Sequence, residues 1–465
     1  MTPRTLARRV RAEAAAGVVT QRATTLDAPD RVRRSLCTAA LLAPSLIGLG
    51  GCGGSGGGSG DAPADSGGSW TIPSGPGTRW RAVHMGGNWG TNVEAVKTLP
   101  AEYFEYLRDL NVNWVGINVA LHLADSMDPS VARRYDGVRF PTFTDDVLAS
   151  LIRRFRRHGF NVYVTLAFEL AEAEAAARPL RRWQLGDPFA PAEDARIAPA
   201  DWPWALEHPQ HARFIADFWA AYTEQAVHFG RIAQAEGVGL YSLGGETDRL
   251  FRSRAGGRWP NAFGNELGAM VRAVRAVYGG RLTYNMHYDA VKTRSYFGAG
   301  SDHLWEDLAL DVVGVSAYFP LLDTPPAAPA SLLAMESAWG QVFDEHLAPL
   351  KARNPGRPIL FTECGYVDSV RAPFEPAAEE FALRVAVDTD GNGIEDGAQT
   401  QASVYQALFN LMNRRPGVVE GAFLWGMMMS DARTWADGFG KLRGFDFRGK
   451  PAEAVVRSTY AAWRG

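Results

Sequence analysis

The chain has 465 residues, 46% of them hydrophobic and 21% charged, the composition of an ordinary globular protein with ample material for a core. Its formal net charge is −3 and its arginines are scattered, so it lacks the basic footprint of a nucleic-acid-binding protein. The three cysteines, Cys37, Cys52 and Cys364, sit in separate settings rather than in a disulfide or metal pattern.

The N-terminal part reads as an export signal. The basic run Arg31-Val32-Arg33-Arg34 precedes an apolar stretch from Ser35 to Ile47 that is too short to span a bilayer. That stretch leads to Leu49-Gly50-Gly51-Cys52, which resembles the lipobox of bacterial lipoproteins, whose cysteine is lipidated and becomes the mature N-terminus. Residues 1–52 are therefore expected to form a lipoprotein signal region. Its first 30 residues are a long prelude that leaves a start further in, for instance at Val32, open. A low-complexity leader with a chance cysteine is the alternative. Gly, Ser, Pro and Asp dominate residues 53–78, as in a flexible tether, and residues 79–465 are expected to form the folded domain. The implied location is the cell envelope, on its periplasmic or surface face, with the lipid as the only membrane attachment and the protein a monomer.

From Trp80 onward, short apolar runs rich in β-branched and aromatic residues alternate with longer stretches of helical periodicity. Strands are expected at Trp80–Met85, Trp114–Val119, Asn161–Phe168, Gly239–Gly244, Arg281–Met286, Val312–Ala317, Pro358–Thr362 and Gly421–Trp425. Helices are expected at Ala101–Leu110, Asp145–Arg157, from about Gln210 to Ala235, and at Asn261–Val277, Leu332–Arg353, Gln399–Asn413 and Ala452–Trp463. The crossover near His303–Leu308 looks short. Eight βα units predict an α/β protein with a single catalytic domain, a (β/α)8 TIM barrel. A doubly wound sheet would usually carry a glycine-rich phosphate loop after its first strand, and Met85-Gly86-Gly87-Asn88-Trp89 is not one.

In such a barrel the reactive groups lie at the strand C-termini, so polar residues ending apolar runs are the site candidates. In chain order they are Asn88 and Trp89, Asn118 and His122, Glu169, Glu246, Asn285 and His287, Tyr318, Glu363 and Trp425. Two carboxylates among aromatics, amides and histidines suit a sugar, whose C–H faces stack on rings and whose hydroxyls bind amides and acids.

Glu246 lies in Leu243-Gly244-Gly245-Glu246-Thr247-Asp248, and Glu363 in Leu360-Phe361-Thr362-Glu363-Cys364-Gly365-Tyr366. With Ser316-Ala317-Tyr318-Phe319-Pro320-Leu321, Gly421-Ala422-Phe423-Leu424-Trp425 and Gly449-Lys450-Pro451-Ala452-Glu453, these motifs resemble glycoside hydrolase clan A. Within it they are most like the family 113 β-mannanases, over about Trp80 to Trp463. The resemblance implies a retaining, endo-acting β-glycosidase on a polysaccharide or oligosaccharide, most like β-1,4-mannan, with no cofactor required for catalysis. It makes Glu246 the acid/base and Glu363 the nucleophile, about 5–5.5 Å apart. It also places Tyr318 against the nucleophile and Trp425 under the sugar. Much of the clan has Asn immediately before the acid/base, where this chain has Gly245. A β-glucanase or another clan A glycosidase remains open, as does a surface lipoprotein that binds glycans without turning them over.

Weaker candidates surround these. Trp183, Trp202 and Trp204 lie in the long loop from Ala171 to His208 and could stack on outer sugars or pin the loop. Asp388, Asp390, Asn392 and Asp396 stand at positions one, three, five and nine of a calcium-type loop, with Gly393 at six and the Ile394 carbonyl at seven. Gln399 replaces the usual twelfth-position glutamate. A structural calcium and a metal-free acidic turn are equally open.

Overall fold

The computed structural model describes residues 79–85, 99–138, 140–170, 182, 185–186, 209–247, 250, 264–291, 304–377, 387–427 and 444–464. The expected signal region with Cys52, the expected tether, Asn88, Trp89 and the three loop tryptophans lie outside these residues. Among the described residues, no helix is long and apolar enough to cross a membrane.

Eight parallel strands close into a barrel in sequence order. They are β1 (Trp80–His84), β2 (Trp114–Leu123), β3 (Asn161–Leu170), β4 (Leu240–Gly245), β5 (Arg281–His287), β6 (Val313–Ser316), β7 (Ile359–Cys364) and β8 (Gly421–Trp425). The outer helices are α1 (Ala101–Asp109), α2 (Asp145–Arg157), α3 (Pro209–Glu236), α4 (Gly264–Arg275), α5 (Leu304–Asp307), α6 (Leu332–Val342), α7 (Ala348–Arg353), α8 (Asp396–Arg414) and α9 (Pro451–Ala462). The α2 helix shows why the pattern was legible. Val147, Leu148, Leu151, Ile152 and Phe155 recur at helical spacing and are all buried, with acids in the first turn and arginines in the last complementing the helix dipole.

Three departures from expectation each have a physical reason. Strands β2 and β3 run past their apolar segments because His122 and Glu169 are still paired in register, and His122 also bridges back to Ala132. The expected single helix over Leu332–Arg353 is widened to a π turn at Phe343–Leu347, where the Ala348 N–H reaches Phe343 O. Pro349 follows directly, and a proline inside a helix removes a ladder donor and crowds the preceding turn. Helix α8 begins at Asp396, earlier than expected, so the ninth position of the calcium-type loop lies in its first turn.

The barrel interior is filled from the strand N-termini upward. Trp80, Ala82, Trp114, Tyr163, Leu240, Val312, Leu360 and Phe423 form a cluster of their own that serves as a floor. Trp80 stacks on Trp114 at 4.0 Å, and Tyr163 lies against Phe423 at 4.8 Å. The seam between β1 and β8 is tied by Arg79, whose guanidinium donates to the carbonyls of Val419 and Met412 at 2.7 Å each and lies over the Trp463 ring. The Tyr460 hydroxyl on α9 donates to Ala82 O from outside.

Candidate active site

Above the floor, the inward positions turn polar. His84 is fully buried, with its ring 4.8 Å from that of Trp425 and 5.8 Å from that of Tyr163. Burial pushes its imidazole down to about 3, which keeps it neutral. It fits there because β2 has Gly116 beside it, where a Cβ would lie 2.7 Å from the His84 ring.

Both glutamates stand where the sheet ladder slips. Along β7, Leu360 belongs to the floor, and the Thr362 hydroxyl donates to Asn285 Oδ1 at 2.6 Å, so strict alternation would send Glu363 outward. The register shifts against β8 between Phe361 and Cys364, and against β6 at Ser316. A bulge of this kind lets successive residues face one side. Glu363 accepts from Asn285 Nδ2 at 3.2 Å and from the Tyr318 hydroxyl at 3.4 Å.

On β4 the slip falls between Ser242 and Gly245. Gly244 is required there, because a Cβ would collide with the hydroxyls of Tyr284 and Tyr222. Glu246 follows with φ +52°, a left-handed conformation that costs a non-glycine residue on the order of 1 kcal/mol. Its N–H bonds Asn285 O at 2.9 Å, which helps hold the strained residue in place. The Glu246 carboxylate receives the Ser316 hydroxyl at 2.6 Å on Oε1, while Arg182 Nε stands 3.8 Å from Oε2.

Both carboxyl groups are buried, at 3% and 6% exposure for Glu246 and Glu363. Burial first, and then repulsion from Glu246, holds the Glu363 carboxyl well above the ordinary carboxylate range; Arg182, Tyr318 and Asn285 pull the other way. Two such groups cannot both ionise cheaply, so they favour sharing a single negative charge. That is the condition for an acid and a nucleophile to coexist at one pH.

Of the other candidates, Asn285 and Tyr318 touch Glu363, and Trp425 lies against His84. Asn118 is buried on β2, with neither amide atom paired among the described residues. Glu169 sits beside His122 at the upper end of the β2–β3 ladder. His287 caps a local turn, its Nδ1 accepting from Asp289 N at 3.3 Å. At the position where the clan carries Asn, a Cβ on Gly245 would meet Asn285 Nδ2 at 3.5 Å, an ordinary contact, so the Asn285 amide already fronts that space. Ser316, Thr362, Arg182 and His84 were not foreseen. Alternation from Trp80 through Ala82 could have found His84, whereas Arg182 lies in a long loop with no period to read.

In the calcium-type loop, Asp388 accepts from the N–H groups of Asn392 and Gly393, and Asp390 from that of Asn392. Asp396 is buried and accepts from Thr389 N and Oγ1. Among the described residues, no group of three or more His, Cys, Asp or Glu side chains is placed to hold a metal ion.

A profile of Glycoside Hydrolase Family 113 matches residues 204–438, half of the chain, including both glutamates, Tyr318 and Trp425. The chain belongs to Glycoside Hydrolase Family 113. It is therefore a glycoside hydrolase acting on a polysaccharide or oligosaccharide. Solved structures share its fold. A complex of a family 113 β-1,4-mannanase superposes with a TM-score of 0.55 at 17% identity, covering 83% of this chain and 99% of the other. The family 113 β-mannanase of Alicyclobacillus acidocaldarius does so with a TM-score of 0.54 at 19% identity, covering 83% and 98%. At such identities the likeness speaks to the fold alone. Sequence comparison with curated proteins finds no match.

Proposed function

We propose that the protein is a retaining endo-β-mannanase in which Glu246 is the acid/base and Glu363 the nucleophile. The observation that carries this reading is the pair of buried carboxyl groups at the C-terminal ends of β4 and β7 in a family 113 chain. The sugar is suggested by two family 113 structures of the same fold, one a β-1,4-mannanase and the other a β-mannanase.

In the first half-reaction Glu246 gives its proton to the leaving glycosidic oxygen, while a Glu363 oxygen bonds the anomeric carbon as the C–O bond to the aglycone breaks. Tyr318 and Asn285 both donate to Glu363, which suits an ionised nucleophile held in one orientation. In the second half, Glu246 takes a proton from water, the water oxygen bonds the anomeric carbon, and Glu363 departs as carboxylate. The neutral His84 and the face of Trp425 form the base of the cleft under the reacting sugar.

The test separates the two glutamates. Glu363→Ala should lose hydrolysis of every substrate. Glu246→Ala should keep glycosylation by an activated aryl β-mannoside, lose hydrolysis of mannan, and regain turnover with azide as the β-glycosyl azide. An α-azide from the Glu363 variant would show that the roles are reversed.

Three finer features belong to the same reading. The protein acts as a monomer, which a sedimentation profile showing a dimer would overturn. It is exported and anchored through a lipid on Cys52, and unchanged membrane association of Cys52→Ser would overturn that. The Asp388–Asp396 loop is a calcium-type sequence whose carboxylates accept from Asn392, Gly393 and Thr389, and a structural calcium and a metal-free acidic turn remain the two readings of it. A melting temperature raised by calcium and lowered by chelator selects the first, and one indifferent to both selects the second.

A further inference from the structure

Arg182 lies on the loop after β3, yet its position is built rather than incidental. Leu185 N bonds Arg182 O at 3.2 Å, and Gly186 N bonds Ser126 O at 2.7 Å, tying the turn to the loop after β2. Leu185 is fully buried, and Gly186 has φ +79° with Leu250 Cδ1 3.1 Å from where its Cβ would stand. The turn is thus wedged between the β2 loop and the segment that follows Glu246. It delivers a guanidinium to Glu246 Oε2 with side-chain exposures of 10% and 5%.

Among the described residues, the groups facing Glu246 are Arg182 from this loop, Ser316 and Tyr318 from β6 and its end, and Glu363 from β7. Only Arg182 is positively charged. In the resting site the two carboxyl groups share one negative charge, and Glu363 and Arg182 act on Glu246 in opposite senses. When Glu363 becomes an ester its charge disappears, and Arg182 then acts on Glu246 without opposition.

We infer that Arg182 is a positioning residue for the second half-reaction: it holds Glu246 as the carboxylate that must take a proton from water once Glu363 is esterified. The inference rests on the roles proposed above for the two glutamates. Balance is kept, because the proton leaves Glu246 with the aglycone and returns to it from the attacking water.

The experiment uses the full chain as Arg182→Met and Arg182→Lys, with 2,4-dinitrophenyl β-mannobioside, whose leaving group needs no protonation. In Arg182→Met, kcat should fall tenfold or more and kcat/KM by clearly less, the smaller fall reflecting the pull of Arg182 on Glu363. A pre-steady-state burst of dinitrophenolate should appear, and azide should restore kcat. Arg182→Lys should keep most of kcat, and it carries the test if the Met variant melts early.

A parallel fall of kcat and kcat/KM would overturn the inference, as would wild-type behaviour of the Met variant. If azide fails to rescue Glu246→Ala, the assignment of roles fails first. If it rescues Glu246→Ala and Arg182→Met shows none of these changes, only the inference about Arg182 fails.

Discussion

The β2–β3 side of the barrel and the β4–β7 side are built from the same parallel strands but behave differently. Strands β2 and β3 pair through ten consecutive residues without a slip, from Trp114 opposite Asn161 to Leu123 opposite Leu170. Alternation there gives every second residue to the interior, from Trp114 at the floor to Asn118 and His122 above. On the other side the ladder slips at Ser242/Gly245, at Val315/Ser316 and at Phe361/Cys364, and the two glutamates stand at the first and last of these. Regular pairing spaces inward side chains about 6.6 Å apart along a strand, whereas a slip brings successive ones to the same face. Polar groups are crowded at the mouth by giving up ladder regularity where the carboxylates sit.

The largest effect is expected from deletion of Gly245. Without the slip, β4 continues in register and residue 246 turns away from the interior, so kcat should fall by roughly 10⁴-fold while the far-ultraviolet spectrum is kept. Activity retained within tenfold would show that the bulge does not aim Glu246.

A smaller effect is expected at Asn285, which joins Thr362 to Glu363 and whose carbonyl holds Glu246 N. Asn285→Ala should cost about 2–3 kcal/mol of transition-state stabilisation, read as a fall of roughly 10²-fold in kcat/KM, with a modest change in melting temperature. An equal loss from Asn118→Ala on the regular side would remove the distinction between the two regions.

The smallest effect concerns stability. Glu363 is held above the ordinary glutamate range, so the fold favours its protonated form. Its contribution to stability is complete below the unfolded value of about 4.3 and is lost as pH rises through the higher folded value. Glu363→Gln carries no such loss. It should melt a few °C above the wild type at pH 8, and the gain should shrink toward pH 5. A gain that is constant with pH would place its origin outside this ionisation.

How much of this was legible follows from the same contrast. The eight strands could be read because apolar runs of β-branched and aromatic residues keep their period, and α2 because its buried stripe recurs at helical spacing. Glu246, Glu363, Asn285 and Tyr318 could be singled out as candidates because they end those runs. Ser316 was passed over because a small hydroxyl at the end of Val313-Gly314-Val315 gives no pattern of its own, while its bond to Glu246 depends on a slip that no periodicity records. Arg182 reaches the site through a turn fixed by Ser126 and Leu250, distant in sequence on either side. The extension of β2 and β3 was missed because His122 and Glu169 are polar, and their pairing is settled by the neighbouring strand.

The seam at Arg79 has a consequence for how the enzyme faces its surroundings. Trp80 belongs to the floor, and Arg79 grips Val419, Met412 and the Trp463 ring beneath it, so the chain enters the barrel at the pole opposite the two carboxylates. The lipid proposed on Cys52 would therefore attach on the side of the base, away from the cleft.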